Sequence, residues 1–260
     1  MKLLGNLVAL ACALASVSAI AADPGTLRFG LEAQYPPFES KGPGGELQGL
    51  DIDIGNAVCT TAHVTCKWVE TSFDGLIPAL EGRKFDAINS AMNATEKRRR
   101  AIDFTNVIYR VPTQLIAKSN SGLVPTPESL KGKRVGVLQE SIQETFAKAH
   151  WENAGVNVVS YQDQNQIYSD LVAGRLDATL VLAPAGQNGF LSRPDGKDFA
   201  FVGQPVRDDK ILGSGIAFGI RKGDTALRDQ LNTAIAKIQA DGTVKALAQK
   251  YLGGIDVTPK

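Results

Sequence analysis

Short apolar runs that read as strands alternate with amphipathic runs that read as helices along almost the whole 260-residue chain. No other feature narrows the fold as far. The strand-like runs are Leu27–Glu32, Cys66–Glu70, Phe85–Ala91, Gln114–Lys118, Arg134–Gln139, Asn157–Tyr161, Ala178–Leu182 and Ile216–Ile220. Between them, Phe73, Leu76, Ile77 and Leu80 recur at helical spacing behind Asp74, and Ile167, Tyr168, Leu171 and Val172 behind Asn165. Two further apolar stripes follow, one over Leu227, Leu231, Ala234, Ile235 and Ile238, the other over Val244, Leu247, Ala248, Tyr251 and Leu252. Such alternation predicts an α/β fold with mostly parallel sheets. The length accommodates one large domain or two smaller ones.

An internal echo favours two. GRKFDAINSA (Gly82–Ala91) and GRLDATLVLA (Gly174–Ala183) share a helix end, a Gly-Arg pair, an apolar residue, Asp-Ala and a strand. Each follows by roughly 40–55 residues a strand that opens an α/β unit, LRFGLE in one case and RVGVLQ in the other. The expected organisation is a first lobe of residues 22–109 plus 216–260 and a second of 113–209. Connectors at 110–112 and 210–215 join them, the first restricted by Pro112, the second ending in Gly-Ser-Gly. Two crossings leave a cleft between lobes, a preferred place for a small ligand.

The first 21 residues read as an export signal: Lys2, an apolar run, then small residues with Ala19 and Ala21 at the −3 and −1 positions of a cleavage site. Cys12 lies inside the apolar run and is no lipidation site. The formal charge is +1, and without this segment acidic and basic residues balance. That balance offers no footprint for nucleic acid or an anionic membrane. In an oxidising compartment Cys59 and Cys66 read as a disulfide closing a short helix-to-strand loop. The rival is a metal site, weak with only His63 nearby. The lysines of Lys131-Gly132-Lys133 precede a strand and match no phosphate-loop pattern, so a nucleotide is rejected.

The strings AQYPPFESK (Ala33–Lys41), LDIDIGNAVC (Leu50–Cys59), FDGLIPAL (Phe73–Leu80), TEKRR (Thr95–Arg99), SLKGKRVGVLQ (Ser129–Gln139) and IYSDLVAGRLDA (Ile167–Ala178) resemble periplasmic solute-binding proteins of amino-acid ABC importers (family 3). The branch for lysine, arginine, ornithine and histidine is the one they resemble most. The resemblance covers nearly the whole mature chain. It implies a two-lobed type II periplasmic-binding-protein fold and a disulfide at Cys59–Cys66. It also implies a monomer without cofactor or metal that closes on an amino acid in the periplasm and delivers it to a membrane permease.

The same resemblance assigns the cleft. Arg98 stands where the family holds the ligand α-carboxylate, a task suited to a guanidinium fork; Arg99 and Arg100 read as a solvated face. Ser90, Ala91 and Asn93 occupy a loop that offers backbone and short polar groups. Across the cleft, Ser141 and Ile142 lie at a strand-to-helix turn whose N–H groups point at an anion. Leu138 and Gln143 flank them. Tyr35 and Phe73 match an aromatic pair that sandwiches the ligand side chain, and Glu32 matches an acid that pairs with its distal cation. The departure is Leu182, where the resemblance implies an Asp for the α-ammonium. Glu140 either compensates or is an exposed acid near a helix N-terminus. The expectation is therefore a binding protein for a cationic amino acid or an opine-like derivative, and no enzyme. The alternative is an exported enzyme on the same fold, similar to cyclohexadienyl dehydratases, which needs a cleft acid or base. Glu32 and Glu140 are the available carboxylates, and His63 and His150 fall outside the pocket.

Overall fold

The computed structural model describes residues 25–253, so the export segment and its cleavage site lie outside the described residues. The chain opens with β1 (Thr26–Leu31) and a small antiparallel sheet of β2 (Gln34–Tyr35), β3 (Glu39–Lys41) and β4 (Leu47–Gln48). Helix α1 (Leu50–Ala62), β5 (Thr65–Glu70), α2 (Leu76–Glu81), β6 (Ala87–Ile88), α3 (Glu96–Arg99) and β7 (Ile102–Phe104) follow. The next stretch holds β8 (Thr113–Lys118), α4 (Pro127–Leu130), β9 (Arg134–Leu138), α5 (Ile142–His150), β10 (Asn157–Tyr161), α6 (Gln164–Val172), β11 (Ala178–Leu182), α7 (Ala183–Gly186) and β12 (Phe199–Val206). Helix α8 (Asp209–Leu212) then leads to β13 (Gly219–Arg221), α9 (Thr225–Ala240) and α10 (Thr243–Leu252).

Two five-stranded sheets result, ordered β5-β1-β6-β13-β7 and β10-β9-β11-β8-β12. The chain crosses from the first to the second between β7 and β8, and returns between β12 and β13. Each sheet is mixed rather than mostly parallel. β1 runs parallel to β5 and β6, and β9 to β10 and β11, while β13 and β8 run antiparallel to both their neighbours. The reason is the crossings: β8 and β13 enter from the opposite sheet and not over a helix, so no right-handed parallel crossover sets their direction.

The internal echo has a physical basis. Arg28 donates from its backbone N, Nε and Nη2 to the Asp86 carboxylate at 2.8–3.1 Å. Arg134 donates from its backbone N and Nε to Asp177 at 2.8 and 3.1 Å. In each sheet this pair locks one strand, β1 or β9, to the turn before its parallel neighbour, β6 or β11. Two residues on, Gly30 lies under the Phe85 ring and Gly136 under Leu176, where a Cβ would come within 2.3 and 2.5 Å of side-chain carbon. Both glycines are there for close approach.

The C-terminal stripes pack on α1. Leu231, Ala234, Ile235 and Ile238 of α9 and Val244, Ala248 and Leu252 of α10 are buried in the same core as Leu50, Ile54 and Val58. One cap differs from expectation. Asp163, not Asn165, caps α6, accepting from the N–H groups of Asn165 and Gln166, because its carboxylate reaches two of the helix's unpaired donors. Cys59 near the end of α1 and Cys66 in β5 form the disulfide. His63, with φ of 56°, reverses the chain between them. Closing so short a loop stabilises by about 2 kcal/mol through the entropy of the unfolded chain. Replacing both cysteines by serine should lower unfolding free energy by about that amount in urea titration; an unchanged midpoint contradicts the estimate.

Candidate functional site

β1, β6, β9 and β11 all point their C-terminal ends at the junction of the two sheets, the position where open α/β sheets place ligands. A cavity there is lined from the first half by Glu32, Tyr35, Phe73, Ala91, Asn93 and Arg98. The second half contributes Leu138, Ser141, Ile142, Gln143 and Leu182. Of the residues expected in the cleft, only Ser90 is outside this lining. Its hydroxyl turns inward, accepting from the Glu32 N–H at 3.0 Å and donating to Glu39 Oε1 at 2.8 Å. The enclosed space is about 20 Å³, room for a water or so. A larger outer groove of about 420 Å³ shares Phe73, Arg98, Ser141 and Ile142 with it and is bordered by Asp74, Lys97 and Glu140.

Arg98 sits on the single turn of α3, whose N-terminus Thr95 caps by accepting the Arg98 N–H at 3.2 Å. Its guanidinium donates to the carbonyl oxygens of Asn93 and Glu140, both at 2.9 Å, and so bridges the two halves. It also lies over the Phe73 ring, 5.3 Å from the centroid. Both hydrogen-bond partners are dipoles, and no carboxylate of the described residues forms an ion pair with it. Burial lowers its pKa to about 10, the Glu140 charge opposing only weakly.

Glu32, one residue beyond β1, is 4% exposed. No hydrogen bond or ion pair among the described residues reaches its carboxyl group. Burial, reinforced by the charges of Asp163 and Asp74, pushes its pKa up to about 8. A buried carboxylate and a buried guanidinium thus line one cavity, each without a counter-charge, and a ligand that carries both would relieve both.

Opposite Arg98 the start of α5 is capped by Ser141, with Glu144 reaching back to the residue before the cap. Ser141 Oγ accepts the Glu144 N–H at 3.0 Å, and Glu144 Oε2 accepts the Glu140 N–H at 2.7 Å. Ser141 was expected to offer its own N–H, but that group already donates to Leu138 O at 3.2 Å. Ile142 and Gln143, in the first turn and without helical acceptors, are the donors left. Gln143 Nε2 donates to Thr113 Oγ1 at 3.3 Å. Leu182 ends β11 on an apolar wall, its N–H donating to the Tyr35 hydroxyl at 3.4 Å. Glu140 projects outward. Its side chain is 57% exposed and pairs with Lys97 at 3.4 Å.

Several contributors were not anticipated. Ala91 and Glu140 flank the cavity with φ of 42° and 58°, a conformation that costs a non-glycine residue energy and persists where neighbours over-determine it. Glu144 holds the Glu140 N–H, and Asp51 Oδ2 holds the Ala91 N–H at 2.6 Å. Tyr109 donates to the other Asp51 oxygen at 2.5 Å. Beside them burial and the neighbouring Asp51 push the buried Glu39 carboxyl well above the usual carboxylate range. The acids of LDIDIG and FESK were the available signal: Asp51 and Glu39 are polar residues in segments whose neighbours are core.

The description "Bacterial extracellular solute-binding proteins, family 3" matches residues 27–254. The histidine-binding periplasmic protein of Escherichia coli K12 is 48% identical over 236 residues, 91% of each chain. The L-arginine-binding protein of Pseudomonas aeruginosa is 46% identical over 251 residues, 96% of each. Among solved structures, an ancestral arginine-binding protein bound to arginine superposes with a TM-score of 0.81 at 30% identity, covering 88% of this chain and 99% of that one. On both the family match and these identities, the chain belongs to family 3 of the bacterial extracellular solute-binding proteins.

Proposed function

We propose that this protein captures a cationic amino acid or a derivative of one outside the cytoplasmic membrane and delivers it to the permease of an ABC importer. The single observation that carries the reading is the cavity with Glu32 and Arg98 buried in it, each lacking a counter-charge. Such a site matches a ligand with a carboxylate at one end and a cation at the other. Arg98, the first turn of α5 and the Asn93 loop take the carboxylate. Tyr35 and Phe73 hold the aliphatic or aromatic stem, and Glu32 takes the cation. The relatives' printed ligands, histidine and arginine, fit that description. The space of about 20 Å³ is too small for any amino acid, so the halves part for entry by rotation at residues 110–112 and 210–215 and then close. The enzyme reading draws no support from this geometry: Glu140 is exposed and paired outside the cavity, and Glu32 is accounted for by charge recognition.

Arg98→Ala should weaken L-arginine binding thirtyfold or more in calorimetric titration, the usual consequence of removing one side of a buried charge contact. The thermal midpoint of the unliganded protein should barely move, since a buried cation offset only by two carbonyl dipoles contributes little net stability. Unchanged affinity in a folded variant contradicts the assignment.

Glu32 adds a pH dependence. Its pKa of about 8 lies above the ordinary 4.5, so the unliganded fold binds a proton that the unfolded chain does not, and stability declines as pH rises from 4.5 towards 8. A ligand cation favours the carboxylate, so binding expels the proton. Affinity for a guanidino ligand should therefore climb between pH 5.5 and 8, by at most about tenfold per pH unit, and level off above. Glu32→Gln should flatten that rise. An affinity that is constant or falls over the same range contradicts the role given to Glu32.

A further inference from the structure

The charges around the cavity are unevenly placed. Apart from Glu140, the acids that bear on it gather at the Glu32 end. Glu32 itself lines the space, and Asp74 and Asp163 are the acids whose charges bear on it. Asp74 keeps a buried, unpartnered Oδ1 on the Phe73 side, while Asp163 Oδ1 is engaged in capping α6. The opposite wall is different. Leu138, Ile142 and Leu182 present apolar surface there, and α7 continues behind Leu182 as Ala-Pro-Ala-Gly, every residue buried. The polar side chains of this wall, Ser141 and Gln143, are neutral and already bonded to Glu144 N–H and Thr113. Glu140, the one acid near this wall, points into the outer groove and pairs with Lys97.

An α-amino acid with a basic side chain brings two cations and one anion. The carboxylate, held at Arg98 and the first turn of α5, places the α-carbon against the acid-free wall. A free α-ammonium there would be desolvated without an anionic partner, which is costly, whereas a hydrogen at the same position is not. Resting on the reading of this cavity as the site of a cationic ligand, we infer that its preferred ligands are ω-guanidino or ω-amino carboxylates with no charged nitrogen on the α-carbon. Leu182 is the residue that sets this preference, by presenting a methyl surface where an acid would recognise the ammonium.

The test compares matched pairs by calorimetric titration of the mature protein at pH 7.5: L-arginine against 5-guanidinopentanoate, and L-lysine against 6-aminohexanoate. Within at least one pair the compound lacking the α-amino group should bind thirtyfold or more tightly, the factor associated with an unpaired buried charge. Agmatine, which keeps the guanidinium and lacks the carboxylate, should not bind measurably. Leu182→Asp should invert the order within the pair, and the comparison on the parent protein stands even if that variant does not fold. Equal or tighter binding of the α-amino acids overturns the inference and leaves the proposed function in place. Binding by none of these compounds, nor by L-histidine or L-ornithine, overturns the proposed function and the inference with it.

Discussion

A guanidinium and a carboxyl group buried in one cavity, neither touching a counter-charge, are the constraint around which the rest of this molecule is arranged. Desolvating a guanidinium or a carboxylate is expensive, and proteins tolerate it where dipoles or a partner offset the cost. For Arg98 the offset comes from two carbonyl groups, one from each half of the chain. Glu32 has none, and its carboxyl group resists ionisation instead. The closed arrangement is also lightly latched. Apart from the Arg98 bridge and the long Leu182 N–H contact to the Tyr35 hydroxyl at 3.4 Å, the side-chain hydrogen bonds that join the halves among the described residues are Lys97–Glu140 and Asn165 Nδ2 donating to Gln34 Oε1 at 3.1 Å. Exposed contacts of this kind contribute at most about 1 kcal/mol each. A ligand supplying both missing charges would add far more to closure than the latches do.

Rigidity behind the cavity lets so small a set of residues define it. The left-handed backbone at Ala91 is fixed by Asp51, that at Glu140 by Glu144, and the main chain of Glu32 by Ser90. Ser90 in turn leans on Glu39, and Asp51 on Tyr109. Tyr109 lies next to the first crossing, and its backbone pairs with Ile216 just after the second. The buried acids therefore connect both crossings to the wall that holds Arg98 and Glu32. In this low-dielectric setting the contacts to Asp51 and Ser90 matter more than they would in water, and burial together with Asp51 pushes the Glu39 carboxyl well above the usual carboxylate range.

Much of this was legible in the residues. The alternation of strands and helices predicted the α/β layers, and the Gly-Arg…Asp-Ala echo marked the two equivalent turns that Arg28 and Arg134 lock. The parallel character was overstated because strand direction in β8 and β13 depends on which sheet the chain has come from, information absent from any local window. β12 was missed: Gly203 and Pro205 interrupt its pattern, and its side chains are mostly half-buried, so it lacks a clear alternation. At the site, the resemblance brought the cleft residues together, but position alone could not tell which way a side chain turns. Ser90 faces the core, Glu140 faces solvent, and the Ser141 N–H is spent on its own turn. The acids of α1 and β3 carried only a weak signal, polar residues among core neighbours, and their burial follows from the packing of the first turn of α1 beneath the cavity.

On the proposed reading closure and ligand binding are one coupled event, driven by a ligand carboxylate that pairs with Arg98 and a ligand cation that draws the proton from Glu32. Small-angle X-ray scattering of the mature protein, with and without a saturating guanidino carboxylate, tests it most directly. The unliganded protein should have the larger radius of gyration, and ligand should shrink it until the profile matches the closed structure described above. Superimposable profiles, with binding confirmed in the same samples by titration, would contradict it.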